Sequence, residues 1–278
     1  MSAEFSRDAM AARLGKPQGH KYDHGHALVL TGGMGRTGAA RLAARAALRV
    51  GAGLVTLGAP GAAMMECAAQ ITALMLRRVE GAEDLAALLQ DARINALCLG
   101  PGMGVERAAA LLAVVRGGGV EPRPAVVDAD ALTALGPIAA ALPADWVLTP
   151  HGGEFARLFP DLAAQAQDSR TDAVRAASAR AGCVVLLKGA DTVIATPDGR
   201  VAVHQAQGAR AVPWLATAGA GDVLAGLIAG LLARGLSPFD AACTGAWLHV
   251  EAALALGPGL IAEDLPEALP AVLRGLLA

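Results

Sequence analysis

The chain has 278 residues, a formal net charge of −2 and a hydrophobic fraction of 54%, much of it alanine. That length buries a large core as one α/β domain, and no uncharged run reaches the roughly 20 residues of a bilayer-crossing helix. The longest, Val223 to Ala233, lies between Asp222 and Arg234 and reads as a buried core helix. The charge leaves no basic footprint for nucleic acid, and three Trp, one Tyr and four Phe give little for base stacking, so a small molecule is the expected partner. Cys67, Cys98, Cys183 and Cys243 are widely spaced without a Cys-x-x-Cys pair, which fits reduced, buried thiols in a cytoplasmic protein. Glu4, Arg7 and Asp8 interrupt any signal-peptide core.

Residues 1–20 read as a leader, with the fold beginning at Lys21. His24 and His26, with His20 nearby, have the spacing of a chelating strand. No Cys and no carboxylate cluster beyond Asp23 accompanies them, so solvated turn histidines are expected instead. Ala27 to Leu30 fits a buried strand; it runs into the glycine-rich Thr31 to Gly38 and then an alanine-rich helix to about Val50. Gly33, Gly35 and Gly38 satisfy the G-x-G-x-x-G pattern of dinucleotide sites, but that site also needs an acid ending the next strand. The next strand, Leu54 to Leu57, ends in Gly58-Ala59-Pro60, and the first acid is Glu66 inside the following helix. The fingerprint therefore fails its second half, which argues against a nicotinamide dehydrogenase.

The alternation continues with a helix around Glu83 to Asp91 and strands at Ile94 to Leu99, Pro124 to Val127, Trp146 to Leu148 and Cys183 to Leu187. Thr192 to Thr196 and Val201 to His204, joined by Pro197 to Arg200, give a hairpin. Three helices close the chain, the last from about Leu265; Gly226 and Gly230, four apart on the first of them, are placed for close packing. Such alternation predicts an α/β fold with a mostly parallel central sheet and helices on both faces. Five polar or glycine clusters each follow a strand: Thr31 to Gly38, Gly100 to Gly104, Asp128 to Asp130, Thr149 to Glu154 and Lys188 to Thr192. Ligands of open α/β sheets bind beyond the carboxyl ends of the strands, so the clusters should converge.

The stretch Leu215 to Gly226 places one carboxylate, Asp222, between small residues and the uncharged helix. Glycine admits close backbone approach and a helix start leaves N–H groups free, so an anion site beside a base is one reading. An ordinary aspartate helix cap is the other.

Taken in order, several motifs resemble those of the ADP- or ATP-dependent NAD(P)H-hydrate dehydratases, members of the ribokinase-like superfamily, from about Lys21 to the C-terminus. They are Gly38-Ala-Ala40 with Arg49-Val-Gly-Ala-Gly-Leu54, Gly100-Pro-Gly-Met-Gly104, Asp128-Ala-Asp130, Thr149-Pro-His151 with Glu154, Lys188-Gly189 with Thr192, and Gly219-Ala-Gly-Asp222. The resemblance implies a lyase that repairs hydrated NADH or NADPH: the added hydroxyl is phosphorylated from ADP or ATP and phosphate is eliminated, leaving AMP when ADP is the donor. It implies Asp222 as the base and Gly219, Ala220 and Gly221 as an anion hole. Lys188, Gly189, Ala190, Asp191, Thr192 and Gly221 would hold the nucleotide; Ala39, Ala40, Gly102, Gly104, His151 and Asp222 would hold the hydrated cofactor. Mg²⁺ would bridge the donor phosphates, with Glu154 a candidate to hold it through water, although a helix-start acid facing the dipole explains Glu154 equally well. A homotetramer is also implied.

Ala220 stands where the family more often has threonine, Ala218 where it often has glycine, and Gly152 where proline usually follows the histidine. None of these removes a charged group. The chain starts too near the dehydratase motifs to include the epimerase domain fused to many bacterial members. Two other functions fit the same Gly-Asp centre: a small-molecule kinase of the superfamily acting on a thiazole or pyrimidine alcohol, and a nucleotide-binding regulatory protein without turnover.

Overall fold

The computed structural model describes residues 3–117 and 119–278. The first half comprises α1 (Arg7–Leu14), β1 (His26–Leu30), α2 (Gly38–Arg49), β2 (Leu54–Ala59), α3 (Met64–Gln70), β3 (Met75–Arg78), α4 (Ala82–Leu88), β4 (Ala96–Leu99), α5 (Val105–Arg116) and β5 (Ala125–Val127). Then come α6 (Ala129–Leu135), β6 (Trp146–Leu148), α7 (Gly152–Leu158), α8 (Gln165–Asp168), α9 (Arg170–Ala181) and β7 (Val184–Leu187). The hairpin β8 (Asp191–Ala195) and β9 (Val201–Gln205) precedes α10 (Ala220–Ala233), α11 (Pro238–Leu256) and α12 (Asp264–Leu277). All strands join one sheet in the order β3-β2-β1-β4-β5-β6-β7-β8-β9. It is parallel from β3 to β7, and the hairpin adds two antiparallel strands at one edge.

Both faces are covered, as continuous apolar strands require. Successive side chains of β1 point to opposite faces: Ala27 and Val29 join a core built with α1, α2, α10, α11 and α12. Leu28 and Leu30 join a second core built with α4, α5, α6, α7 and α9. The alanine-rich composition has its use in the first core, where α10 lies against α2. An ideal Cβ on Gly226 would stand 2.0 Å from the Ala43 carbonyl oxygen, and one on Gly230 2.6 Å from that of Ala47. Glycine lets the two backbones touch, so Gly226→Ala forces the helices apart. A cost of about 3 kcal/mol is expected, which lowers the melting temperature by roughly 6–12 °C in a chain near this size. A calorimetric melting point equal to that of wild type would refute this.

Three local expectations need correction. The segment read as a leader is packed into the fold: Phe5, Met10 and Leu14 are buried in the first core, and Arg13 bridges Glu4 at 3.0 Å and Asp240 at 2.5 Å. The histidines are not all solvated either, since His24 and His26 are buried and His26 Nε2 lies 2.7 Å from the Thr56 hydroxyl. Burial pushes the His26 pKa down, so the ring serves β1 and β2 as a neutral hydrogen-bonding group. Finally, β3 pairs with β2 at the sheet edge and has no counterpart in the sequence pattern. Its Arg77 and Arg78 give it a charged, mostly exposed face, which breaks the apolar signature while protecting an edge from pairing with other chains.

Candidate active site

Because β1, β4, β5, β6 and β7 run parallel, their carboxyl ends share one rim of the sheet, and the five clusters meet there. The loop after β1 touches the loop after β4: a Cβ on Gly32 would stand 2.0 Å from the Gly102 carbonyl oxygen, and one on Gly102 only 3.3 Å from Ala39 Cβ. The loop after β4 reaches that after β5 through the Gly104 N–H, which donates to Asp130 Oδ2 at 2.8 Å. Lys188, after β7, joins Asp128, after β5, by a 2.7 Å ion pair and lies 3.8 Å from Glu154 Oε2, after β6. Ala129, between the two aspartates, holds φ at 45°. That is a strained angle for a residue with a side chain, and it turns Asp128 towards Lys188 and Asp130 towards Gly104.

At the start of α10 the aspartate-cap reading fails. Gly219, not Asp222, occupies the N-cap position, with φ 89° and ψ −18°. A Cβ there would also stand 2.8 Å from both Ala262 and Leu42 side chains, so glycine is required by conformation and by space. Asp222 falls in the first helical turn, where its carboxylate caps nothing and, among the described residues, enters no ion pair. At this left-handed turn the Ala220 N–H donates to the Thr217 carbonyl at 3.4 Å, while among the described residues no backbone partner is found for the Gly219 and Gly221 N–H groups, which lie at the positive end of the helix where an anion is favoured. Lys188 Nζ reinforces that preference, lying 3.5 Å from where a Cβ on Gly221 would be.

Charge in this cluster is biased in opposite directions. Burial pushes the Asp222 carboxyl up to about 6; Asp128, Asp130 and Glu154 add to the rise and Lys188 opposes it. Burial also works against the Lys188 ammonium, but Asp128, Glu154 and Asp222 outweigh it and raise its pKa, so the lysine stays charged. A fixed cation thus stands beside a carboxylate that changes protonation near neutrality, an arrangement suited to taking a proton next to a phosphate.

His151 and Glu154 hold each other. The Gly153 and Glu154 N–H groups donate to His151 Nδ1 at 3.0 and 3.3 Å, and the His151 N–H donates to Glu154 Oε2 at 2.8 Å, a reciprocal capping box at the start of α7. Nδ1 is thereby the acceptor, which leaves the exposed Nε2 as the N–H of the neutral ring. Gly152 makes no demand of its own here, since a Cβ on it meets nothing within 4 Å.

A cavity of about 790 Å³ opens between the β7–β8 loop and α10. Lys188, Gly189, Ala190, Thr192, Ala220 and Gly221 line it, and His151 reaches its edge. Asp191 does not: its Oδ1 is buried without a hydrogen-bond partner among the described residues. The Thr192 hydroxyl donates to the Gly189 carbonyl at 3.0 Å and closes its own loop. On the other side of the rim, Ala39 is half-buried beside Gly102, whereas Ala40 is wholly buried in the core. What Ala40 offers a ligand is its backbone N–H in the first turn of α2, free of an intrahelical partner.

Three residues enter that the sequence did not single out, and a fourth takes a different part. Arg170 donates to the Leu187 and Lys188 carbonyls at 3.2 and 2.5 Å and sets the start of the β7–β8 loop. Arg36 brings a guanidinium 3.6 Å from the Cβ position of Gly104. His249 enters the cavity wall from α11. Glu66, which stood only as the acid too late for a dinucleotide fingerprint, reaches back from α3 to accept from the Gly35 N–H at 2.6 Å and from the Thr37 hydroxyl. It pins the glycine loop and is not free for a ribose. Only a basic residue inside a glycine loop, as at Arg36, leaves a trace in the linear pattern; the others depend on helices distant in sequence.

A family model described as NAD(P)H-hydrate dehydratase matches residues 27–269. The chain is 41% identical over 295 residues to the bifunctional NAD(P)H-hydrate repair enzyme Nnr of Moorella thermoacetica, covering 99% of this chain but 54% of that protein. It therefore spans about half the length of that relative. To the ADP-dependent (S)-NAD(P)H-hydrate dehydratase of Neisseria meningitidis it is 39% identical over 263 residues, covering 90% of this chain and 85% of the other. Among solved structures it superposes on the ADP/ATP-dependent NAD(P)H-hydrate dehydratase of Bacillus subtilis co-crystallized with ATP/Mg²⁺, with TM-score 0.82, 28% identity and 98% of each chain covered. With the matched region taking in every strand-end cluster and the Gly219-to-Asp222 turn, the chain belongs to the NAD(P)H-hydrate dehydratase family.

Proposed function

We propose that the protein is an ADP-dependent (S)-NAD(P)H-hydrate dehydratase, a lyase that restores hydrated NADH and NADPH. The observation that carries this is Asp222: a carboxylate without an ion-pair partner among the described residues, raised to about 6, in the first turn of a helix whose N-terminus favours an anion. Asp222 takes the proton of the added hydroxyl as that oxygen attacks the terminal phosphoryl group of ADP, and AMP leaves. The Gly219 and Gly221 N–H groups and the Lys188 ammonium hold the phosphoryl oxygens, since phosphoryl transfer depends on positioning and charge neutralisation more than on covalent help. Phosphate then leaves the ring with its bonding pair, and a proton passes from the neighbouring ring carbon to solvent, restoring the double bond of NAD(P)H. The donor occupies the cavity behind Lys188; the hydrated ring lies towards Gly102, Gly104 and the start of α2, with His151 Nε2 beside it.

The donor set also fits Mg²⁺ brought in with the nucleotide. Among the described residues no group of three ligating side chains forms a cage, and Mg²⁺ commonly rests on one or two carboxylates, waters and phosphates. Glu154 has the oxygen to spare: Oε2 takes the His151 N–H, while Oε1 lies 3.6 Å from His151 Nε2. When bound, the ion would be held by Glu154 through water and would offset the negative charge of the donor phosphates. Residues 21–278 are read as one domain with the N-terminal twenty docked on it. A cytoplasmic setting is supported by four free, buried cysteines. A homotetramer is consistent with exposed Trp214, Ile261 and Met65, and sedimentation velocity measures it.

Incubation with (S)-hydrated NADH and ADP should restore NADH absorbance. No restoration with ADP or ATP, together with phosphorylation of a thiazole or pyrimidine alcohol, would favour the kinase. Because the base must be ionised, kcat/KM should fall about tenfold per pH unit below about 6 and level off above it. An acid limb centred near 4 would show that another group takes the proton.

A further inference from the structure

The β7–β8 loop lines the 790 Å³ cavity with Lys188, Gly189, Ala190 and Thr192, and the carbonyls from its start are all engaged. Those of Leu187 and Lys188 accept from Arg170 Nη2 at 3.2 and 2.5 Å. The Gly189 carbonyl accepts the Thr192 hydroxyl at 3.0 Å, and that of Ala190 accepts the Ala206 N–H at 2.8 Å. By contrast, the Gly189 and Ala190 N–H groups have no backbone partner among the described residues. A cavity wall built this way offers a ligand donors rather than acceptors, which suits an anion.

Arg170 is not itself part of that wall. It opens α9, where the Ser169 hydroxyl caps the helix by accepting from the Asp172 N–H at 3.4 Å. Farther along, the buried Ser178 hydroxyl is shared between the Cys183 and Ala195 carbonyls at 2.6 and 3.0 Å, at the far ends of β7 and β8. The helix carrying Arg170 is thus fastened to the two strands that the loop joins. The guanidinium serves the loop alone: its Nε is buried without a partner among the described residues, and its recorded bonds run to Leu187 and Lys188. Gly189 is shaped around it. This glycine is outside the positive-φ set, so conformation does not demand it. Space does, because a Cβ there would stand 2.7 Å from Arg170 Nη2 and 3.3 Å from Cζ.

We propose that Arg170 is a positioning residue of the donor site. By holding two successive carbonyls it keeps the β7–β8 loop in its binding form before ADP arrives, and it acts through Lys188 and Gly189 without touching a reactant. Such preorganisation raises affinity by removing the ordering that binding would otherwise require, not by adding a contact. The proposal rests on the cavity being the donor site.

The test combines calorimetric ADP binding with steady-state kinetics for wild type, Arg170→Met, Arg170→Lys and Gly189→Ala. Methionine keeps an apolar stem and removes the donors. In Arg170→Met the Kd and KM for ADP should rise about tenfold. At saturating ADP the loop is formed again, so kcat and the KM for hydrated NADH should stay within about twofold of wild type. Arg170→Lys should recover part of the affinity, since one ammonium can bond a carbonyl but lacks the planar fork. Gly189→Ala displaces the guanidinium and should weaken ADP binding in the same way, adding little to Arg170→Met in the double variant. Unchanged ADP affinity in a folded Arg170→Met overturns the proposal, as does a lower kcat at unchanged KM for ADP. Should that variant not fold, Gly189→Ala decides, and ADP affinity equal to wild type overturns the role. Absence of any ADP binding by wild type would instead remove the donor-site reading on which the proposal stands.

Discussion

Replacing Asp222 with asparagine is expected to lower kcat for repair of hydrated NADH by about 10³-fold or more, because a positioned general base contributes roughly 10²–10⁴. ADP should still bind within about threefold of wild type, since the Gly219 and Gly221 N–H groups and Lys188 remain. The same change should stabilise the protein. The folded-state pKa of Asp222 is raised from 3.8 to about 6. Its contribution to stability is thus full below about 4 and lost as pH rises through 6. At pH 7.5 the ionised carboxylate costs about 2–3 kcal/mol, and asparagine removes that cost. Thermal unfolding at pH 7.5 should show a gain of about 5 °C or more, shrinking towards zero near pH 4. Unchanged turnover would remove Asp222 from the mechanism; lost activity with lower stability at pH 7.5 would mean that the side chain is structural.

Lys188→Met should combine two losses. Turnover falls by about 10²-fold or more as the cation next to the transferring phosphoryl group disappears. Stability also falls, because Asp128 is almost wholly buried and Lys188 is its ion-pair partner. Removing one member of a buried pair strands the other charge and costs about 3–5 kcal/mol. Adding Asp128→Asn to Lys188→Met should recover most of the stability and none of the turnover, which separates the two roles in a double-mutant cycle. A single variant as stable as wild type would show that solvent reaches Asp128.

Much of this was legible in the order of residues. Apolar runs ending in glycine or carboxylate clusters placed β1, β4, β5, β6 and β7 and the rim where they end, since a buried parallel strand carries its hydrophobic signal in four or five consecutive residues. The hairpin of β8 and β9 was marked by its Pro197 to Arg200 turn. Elements that answer to other demands were not legible. β3 carries charge because it is an edge, and α1 has too few apolar residues to signal that Met10 and Leu14 are enclosed by distant helices. At the site, the pattern located Asp222 but not its standing. Whether it caps α10 turns on the helix register and on Gly219 being left-handed. The roles of Glu66 and Arg170 likewise arise from loops and helices brought together only by the sheet.

The backbone contact of Gly226 and Gly230 with Ala43 and Ala47 has a consequence at the far end of the two helices. The N-terminus of α10 faces the donor phosphates in the proposed mechanism and that of α2 faces the hydrated ring, so a seam without side chains between them acts as a ruler. It fixes how far apart two dissimilar reactants are presented. A transfer sensitive to displacements of an ångström then needs no helix movement to bring its partners into line. Acceptors of another length would be accommodated by rebuilding the loops that overhang the rim, with the pair of helices kept as the unvarying gauge.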